Sequence, residues 1–340
     1  MDCSLAPYPS LRATGPDLRA ELERQRKSQR DLAVAGSDLR LVDIAGEAVV
    51  RVGDEMLPLA PAAAAALAAL VPVASATALL AQRHDVDAWF ASQDGVRLRV
   101  LGHLIVAVMP AGWRVVDDGE LLGTVVDALA GTGVDVSVDH CRLRHGEWML
   151  SLVAPGLKGE VGAGDYFYGG LHLTTSPARD TDICTRIYRL LCRNGALADM
   201  TEARRFVMPR MVPHGGIDPY TQWSDRVASV VAVSFRGVSV DEDAQRLRRL
   251  LAELLTNPYE HLCHLRAQGL ITAEEQVSIQ REFNRAHDQS MYGLVNAITS
   301  IAHGHRSRDE WQRAMAMERL GGEVMRGDHM PPTWAPAFSR

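Results

Sequence analysis

Gly164 to Ala198 reads GDYFYGGLHLTTSPARDTDICTRIYRLLCRNGALA, and the way this stretch is divided decides the fold. Tyr166 to Thr175 alternates aromatic and apolar residues with small ones, the pattern of a half-buried β-strand, and Ser176-Pro177-Ala178 is its exit turn. From Asp182 the spacing changes. Ile183, Ile187, Leu190 and Leu191 recur at three- and four-residue steps and predict a helix with one apolar face. Arg186, Arg189 and Arg193 then share the opposite side, and Asn194-Gly195 supplies the glycine on which such a helix stops. A stripe of this kind can face phosphates, or it can be a solvated helix face balanced by carboxylates elsewhere.

Working outward toward the N-terminus, Val134 to Val153 predicts a hairpin turning at His145-Gly146, with Val134, Val136 and Val138 on one face. Together with Tyr166 to Thr175 this makes a three-strand meander feeding the arginine helix. Asp117-Asp118 precede a helix, ELLGTVVDALAG, that closes at Gly131. Val96 to Met109 predicts a strand pair interrupted at Gly102, and Leu39 to Leu59 two short strands turning at Ala45-Gly46-Glu47. Leu59 to Ala81 carries no charge over a bilayer-long span, but alanine dominates it and Pro72 interrupts it. The expected structure is a buried helix, a break, and a second short helix to Phe90. Before Gly36, three prolines and a mixed-charge helix from Leu18 to Leu32 describe an arm.

Toward the C-terminus, Arg204, Arg205 and Arg210 lie in a loop that ends PHGGIDPY. Helical signals then dominate: Asp225 to Phe235 suits helix or strand, DEDAQRLRRLLAELL begins from Ser239 or Asp241, Thr272 and Glu275 form a capping box, and Gln289 to Ala302 is apolar. The expected fold class is α+β, an antiparallel strand meander packed with helices and followed by a helical C-terminal part. The expected division is an arm over 1–36, an α+β core over 37–235, a helical domain over 236–325 and a loose tail over 326–340.

Three stretches carry a family resemblance. RIYRLLCRNGALA resembles the arginine-x-x-cysteine-x-asparagine-glycine signature of the phage/plasmid-like family known as domain of unknown function nine-three-two. Trp113 to Leu122, WRVVDDGELL, is similar to that family's aromatic-arginine segment ahead of aspartates and a helix, with tryptophan where the family usually has tyrosine. Met291 to His303, MYGLVNAITSIAH, resembles its asparagine-alanine-x-threonine block. The resemblance runs from about Leu39 to Gly322 and implies a protein of mobile-element type.

At 340 residues and 47% hydrophobic content the chain can bury a large core and fill two domains. Its net charge of −6 excludes wholesale coating of nucleic acid and leaves room only for a focused basic site. The five cysteines, Cys3, Cys141, Cys184, Cys192 and Cys263, contain no C-x-x-C pair and suit free thiols in a reducing cytoplasm. MDCSLAPYPS has no charged segment followed by an apolar run, so the expected location is cytoplasmic, without a membrane.

Dinucleotide, phosphate-loop, serine-hydrolase and H-E-x-x-H motifs are all absent from the sequence. Asp117, Asp118, Asp135 and Asp139 could hold magnesium for phosphoryl chemistry, yet a helix cap and a solvated strand face explain them more simply. His261, Cys263 and His264, with His303 and His305, could ligate metal only by converging in space; no metal and no cofactor are expected. The leading expectation is a nucleic-acid-binding protein, single-strand binding or annealing in character and non-catalytic. Arg142, Arg144, Arg186, Arg189 and Arg193 would track phosphates, and Trp148, Tyr166, Phe167 and Tyr168 would stack on bases. The alternatives are an interaction or assembly protein, with homo-oligomers formed by the helical part, and a metal-dependent nuclease.

Overall fold

The structure is a computed structural model that describes residues 11–71, 73–144, 146–189, 194–196, 205–213, 219–235, 237–307 and 310–329. Helix α1 (Leu11–Ser28) leads directly into strand β1 (Gln29–Val34). The helix expected to reach Leu32 therefore stops at Ser28. Residues 29–34 are taken up by pairing with β5 (Val96–Leu101), from Gln29 opposite Leu101 to Val34 opposite Val96, and β6 (Leu104–Pro110) completes that sheet. A second small sheet holds β2 (Leu39–Ile44), β3 (Glu47–Val52) and β4 (Glu55–Pro58). One of the two expected strands is split, because Gly53 takes the left-handed conformation (φ 59°) and reverses the chain. Helices α2 (Pro61–Leu70) and α3 (Arg83–Ser92) cover these sheets, with Leu39, Val50, Leu67, Phe90, Leu98 and Ile105 in the shared core.

The centre of the molecule follows. After β7 (Trp113–Val115) comes α4 (Asp118–Thr132), capped by the Asp117 carboxylate, which accepts the Gly119 N–H at 2.8 Å. The helix ends at Gly133 (φ 68°), two residues beyond the expected Gly131. Then come β8 (Ser137–Arg144), β9 (Glu147–Gly162), β10 (Asp165–Ser176), β11 (Arg179–Arg189), β12 (Asn194–Ala196), β13 (Arg205–Met208), β14 (Met211–Pro213) and α5 (Pro219–Ser234). The main sheet runs β12-β11-β10-β9-β8, with β13 also on β11 and every pair antiparallel; β14 pairs with β7.

Where it is described, up to Arg189, the expected arginine helix is a strand; its continuation over 190–193 lies outside the described residues. A four-residue step places Ile183 and Ile187 on one face in a helix and equally in a strand, so that spacing does not discriminate. Thr181, Ile183, Thr185 and Ile187 form a β-branched run at period two, and Pro177-Ala178 turn the chain back onto β10, where Leu173 lies opposite Ile183 and Gly170 opposite Arg186. The strand's gain is a full ladder with β10.

Helices α6 (Gly237–Ala252), α7 (Pro258–Ala267), α8 (Ala273–Ala286), α9 (Met291–Ser307) and α10 (Trp311–Arg326) form the C-terminal part, and Thr272 and Glu275 make the expected reciprocal capping box on α8. One face of the main sheet, with Trp148, Leu150, Leu152, Leu171, Leu173 and Ile183, shares a core with α4 and α5. The opposite face carries Ser151, His172, Cys184 and Arg186 and is tied to α10. Val161 and Phe167, from the far end of the β9–β10 hairpin, lie in the core of α6 to α10. The strand-rich residues 37–235 and the helical residues 236–325 thus meet in one core. The fold is α+β. Among the described residues no helix is long and apolar enough to cross a membrane.

Candidate functional site

Among the described residues, those expected to form a phosphate-tracking groove do not share one exposed surface. Arg186 is buried on β11, ion-paired with Glu318 of α10, and its Nη1 donates to Ser151 Oγ at 2.7 Å. Arg144 and Arg189 lie on strands, but their side chains are outside the described residues, as is the whole of Arg193. Trp148, Phe167 and Tyr168 are buried and present no ring face to solvent. Tyr166 is half-buried beneath Lys158, whose Nζ is 3.4 Å from the ring centroid. Arg142 is half-buried, with its guanidinium 5.1 Å from the ring centroid of Trp311. Arg186 does not join an exposed stripe, because β11 aims it at α10, where burial demands a counter-charge.

Arg142 does line a cleft of about 550 Å³. Its floor is one row across the main sheet, Arg142 opposite Met149 and Met149 opposite Thr174, since directly paired residues point to the same side, and the row continues beyond the cleft to Asp182. Asp182 is held at 3.1 Å by Arg319 of α10. Trp148, the residue adjoining Met149, turns its side chain to the other face of the sheet, where its indole N–H donates to Asp118 at 2.9 Å, and Arg210 donates to the same Asp118 oxygen at 2.6 Å and to Thr175 Oγ1 at 2.7 Å. A wall of the cleft is the start of α10, with Trp311, Arg313 and Met315. Ala60 and Pro61 place the start of α2 in the same cleft. Neither Ala60 nor Glu310 caps its helix with a side-chain hydrogen bond, and the starts of both helices, with their positive dipole ends, border the cleft. Glu147, Asp180 and Glu310 add negative charge to the lining.

The first turn of α10 is braced from behind. His305 Nδ1 lies 2.6 Å from Glu310 Oε2, and His305 Nε2 lies 3.1 Å from Glu275 Oε1. Arg313 forms a double hydrogen bond to Glu275. Burial alone would push the Glu275 carboxyl up, but Arg313 and the Thr272 N–H and hydroxyl together pull it down to about 2. The same contact raises Arg313 above the usual guanidinium value. Glu310 and Arg313 also line a second, polar cleft of about 830 Å³ between α8 and α9.

Among the described residues no three histidine, cysteine, aspartate or glutamate side chains converge to hold a metal ion. Asp117 serves as the helix cap and Asp118 holds Trp148 and Arg210. Ser151 and His172 do meet, at 2.7 Å between Oγ and Nδ1, a pair that 21 residues of separation concealed. Both are buried beneath α10, and Arg186 donates to the same hydroxyl. Trp311, Arg313 and Thr174 escaped the sequence reading because they come from helix and sheet elements with no shared motif. An aromatic residue in the first turn of a helix, beside charged neighbours, was the one available signal. Neither models of known protein families, nor curated proteins, nor solved structures give a match to this chain.

Proposed function

We propose that the protein is a non-catalytic nucleic-acid-binding protein of mobile-element type that takes one or two nucleotides of a single-stranded nucleic acid into the Arg142–Trp311 cleft. The observation that carries this reading is the Arg142 guanidinium over the Trp311 ring, 5.1 Å away, at a cleft of ligand size. An aromatic face accepts a base of any identity, and a guanidinium beside two helix N-termini accepts a phosphate. Glu147, Asp180 and Glu310 limit the number of phosphates that can be accommodated, in keeping with the net charge of −6. The resemblance of three stretches to a phage/plasmid-like family supports the biological setting.

Fluorescence anisotropy with labelled single- and double-stranded oligonucleotides tests the reading. The wild type is expected to prefer single strands, and Trp311→Ala to weaken binding about ten-fold with little dependence on base sequence. Failure of the wild type to bind either substrate at low salt, or unchanged binding by a folded Trp311→Ala protein, would remove the cleft from consideration.

A second reading, an interaction or assembly protein, is favoured by Leu254 and Tyr259. They are 73% and 60% exposed, in the α6–α7 connection and the first turn of α7. Light scattering decides for it if the wild type self-associates and Leu254→Ser with Tyr259→Ser abolishes the association.

A further inference from the structure

We propose that the Arg142–Trp311 cleft selects guanine among the bases, with the Glu147 carboxylate accepting hydrogen bonds from the N1–H and the N2 amino group of the base held at Trp311. The inference rests on the reading of the cleft as a nucleotide site and names the base it prefers.

Glu147 and Met149 stand two residues apart on β9, so both side chains emerge on the face of the main sheet that floors the cleft. Arg142 lies opposite Met149 and Arg144 opposite Glu147. Arg142 and Glu147 are therefore diagonal neighbours on that face, with β-carbons about 7–8 Å apart. Long side chains at that spacing can pair. Here the Arg142 guanidinium lies over Trp311 instead, and among the described residues Glu147 has no ion pair and no side-chain hydrogen bond. The other carboxylates of the lining are placed differently. Asp180 is exposed and two strands away, on β11, and Glu310 is held by His305 Nδ1 at 2.6 Å. Glu147 is half-buried beside the row that floors the cleft.

An ionised carboxylate only accepts hydrogen bonds. In a site for an anionic strand it lowers affinity unless the ligand brings donors to it. Guanine alone sets two donors side by side on its pairing edge, and the two carboxylate oxygens accept them in parallel, as they accept the fork of a guanidinium. Adenine and cytosine offer one amino group there beside an acceptor nitrogen, and thymine or uracil one N–H between two carbonyl oxygens. Each of these sets an acceptor against the carboxylate. The diagonal spacing lets one nucleotide serve both residues, its phosphate at Arg142 and its base edge at Glu147. Stacking on Trp311 is open to every base, so the discrimination belongs to Glu147.

Fluorescence anisotropy with the full chain and short labelled thymidylate strands that differ in one central base tests the assignment. Guanine should be bound about ten-fold more tightly than thymine, with adenine and cytosine between them, and hypoxanthine, which lacks the N2 amino group, should lose most of that gain. The hypoxanthine comparison uses the wild type alone and does not depend on how any variant folds. Glu147→Gln should abolish the guanine preference and bind the all-thymine strand about two-fold more tightly, since a like charge leaves the site. Asp180→Asn should keep the preference. Equal affinity for the four bases, hypoxanthine bound as tightly as guanine, or a preference that survives in Glu147→Gln would overturn the inference alone, so long as Trp311→Ala still weakens binding. A ribonucleotide strand held more tightly than its deoxy counterpart, without base discrimination, would also overturn it by giving Glu147 to a ribose hydroxyl. No binding of any strand at low salt would overturn the cleft reading and the base preference together.

Discussion

Arg186 and Glu318, 132 residues apart in the chain, form an ion pair whose side chains are 0% and 2% exposed. The pair joins the fourth strand of the main sheet to the last helix, and Ser151 Oγ accepts from the same guanidinium. An arginine so placed serves the fold. Removal of either partner leaves a buried charge without its counter-ion, at a cost of about 3–5 kcal/mol. Arg186→Met and Glu318→Gln should each lower the unfolding free energy from urea titrations by that amount. Arg186→Met with Glu318→Leu should cost less than the two single changes together, since both charges then leave the interior. A fully stable Arg186→Ala protein would contradict the burial.

Acid should unfold the protein in two steps of known sign. Burial pushes His261 of α7 down to about 4 from the usual value near 6.5, with His264 and His329 adding like charge. The unfolded chain then binds more protons between these values, and stability falls as pH drops from about 6.5 to about 4, by about 3 kcal/mol from this group. Glu275, held down at about 2, adds stability above its usual value of 4.5 that is lost as pH falls further toward 2. Denaturant titrations at stepped pH should show both windows, and His261→Leu should flatten the first only.

Gly321 lets α10 approach α9. A β-carbon there would collide with the methyl group of Thr299, and that side chain is stiff because it is β-branched and its hydroxyl donates to Val295 O at 3.0 Å. Gly321→Ala should destabilise by about 1–3 kcal/mol. Thr299→Ser, which removes the methyl, should recover part of that loss in the double variant. Additive losses in thermal melts would show that the two residues do not touch.

Salt dependence separates a cleft from a groove. Contact with one or two phosphates gives a log–log slope of about −0.7 to −1.4 for a single-stranded ligand, and Arg142→Gln should make it shallower by about 0.7. A slope several times steeper in anisotropy titrations would point to a basic surface elsewhere on the molecule.

Sequence patterns local to each element determined most of the secondary structure. Alternation marks β10, the glycine turns mark the β5–β6 and β8–β9 hairpins, and a Thr272–Glu275 capping box marks α8, because each depends on residues only a few positions apart. The α+β class followed from their order. Residues 179–189 went the other way, since Ile183 and Ile187 satisfy both periods and only the ladder with β10 selects the strand. The site depended on longer reach still. No local pattern pairs Arg186 with Glu318, sets Arg142 over Trp311, or brings His305 between Glu275 and Glu310. Whether an arginine meets solvent or a carboxylate is decided by what packs above its strand, and here α10, from the far end of the chain, does that packing.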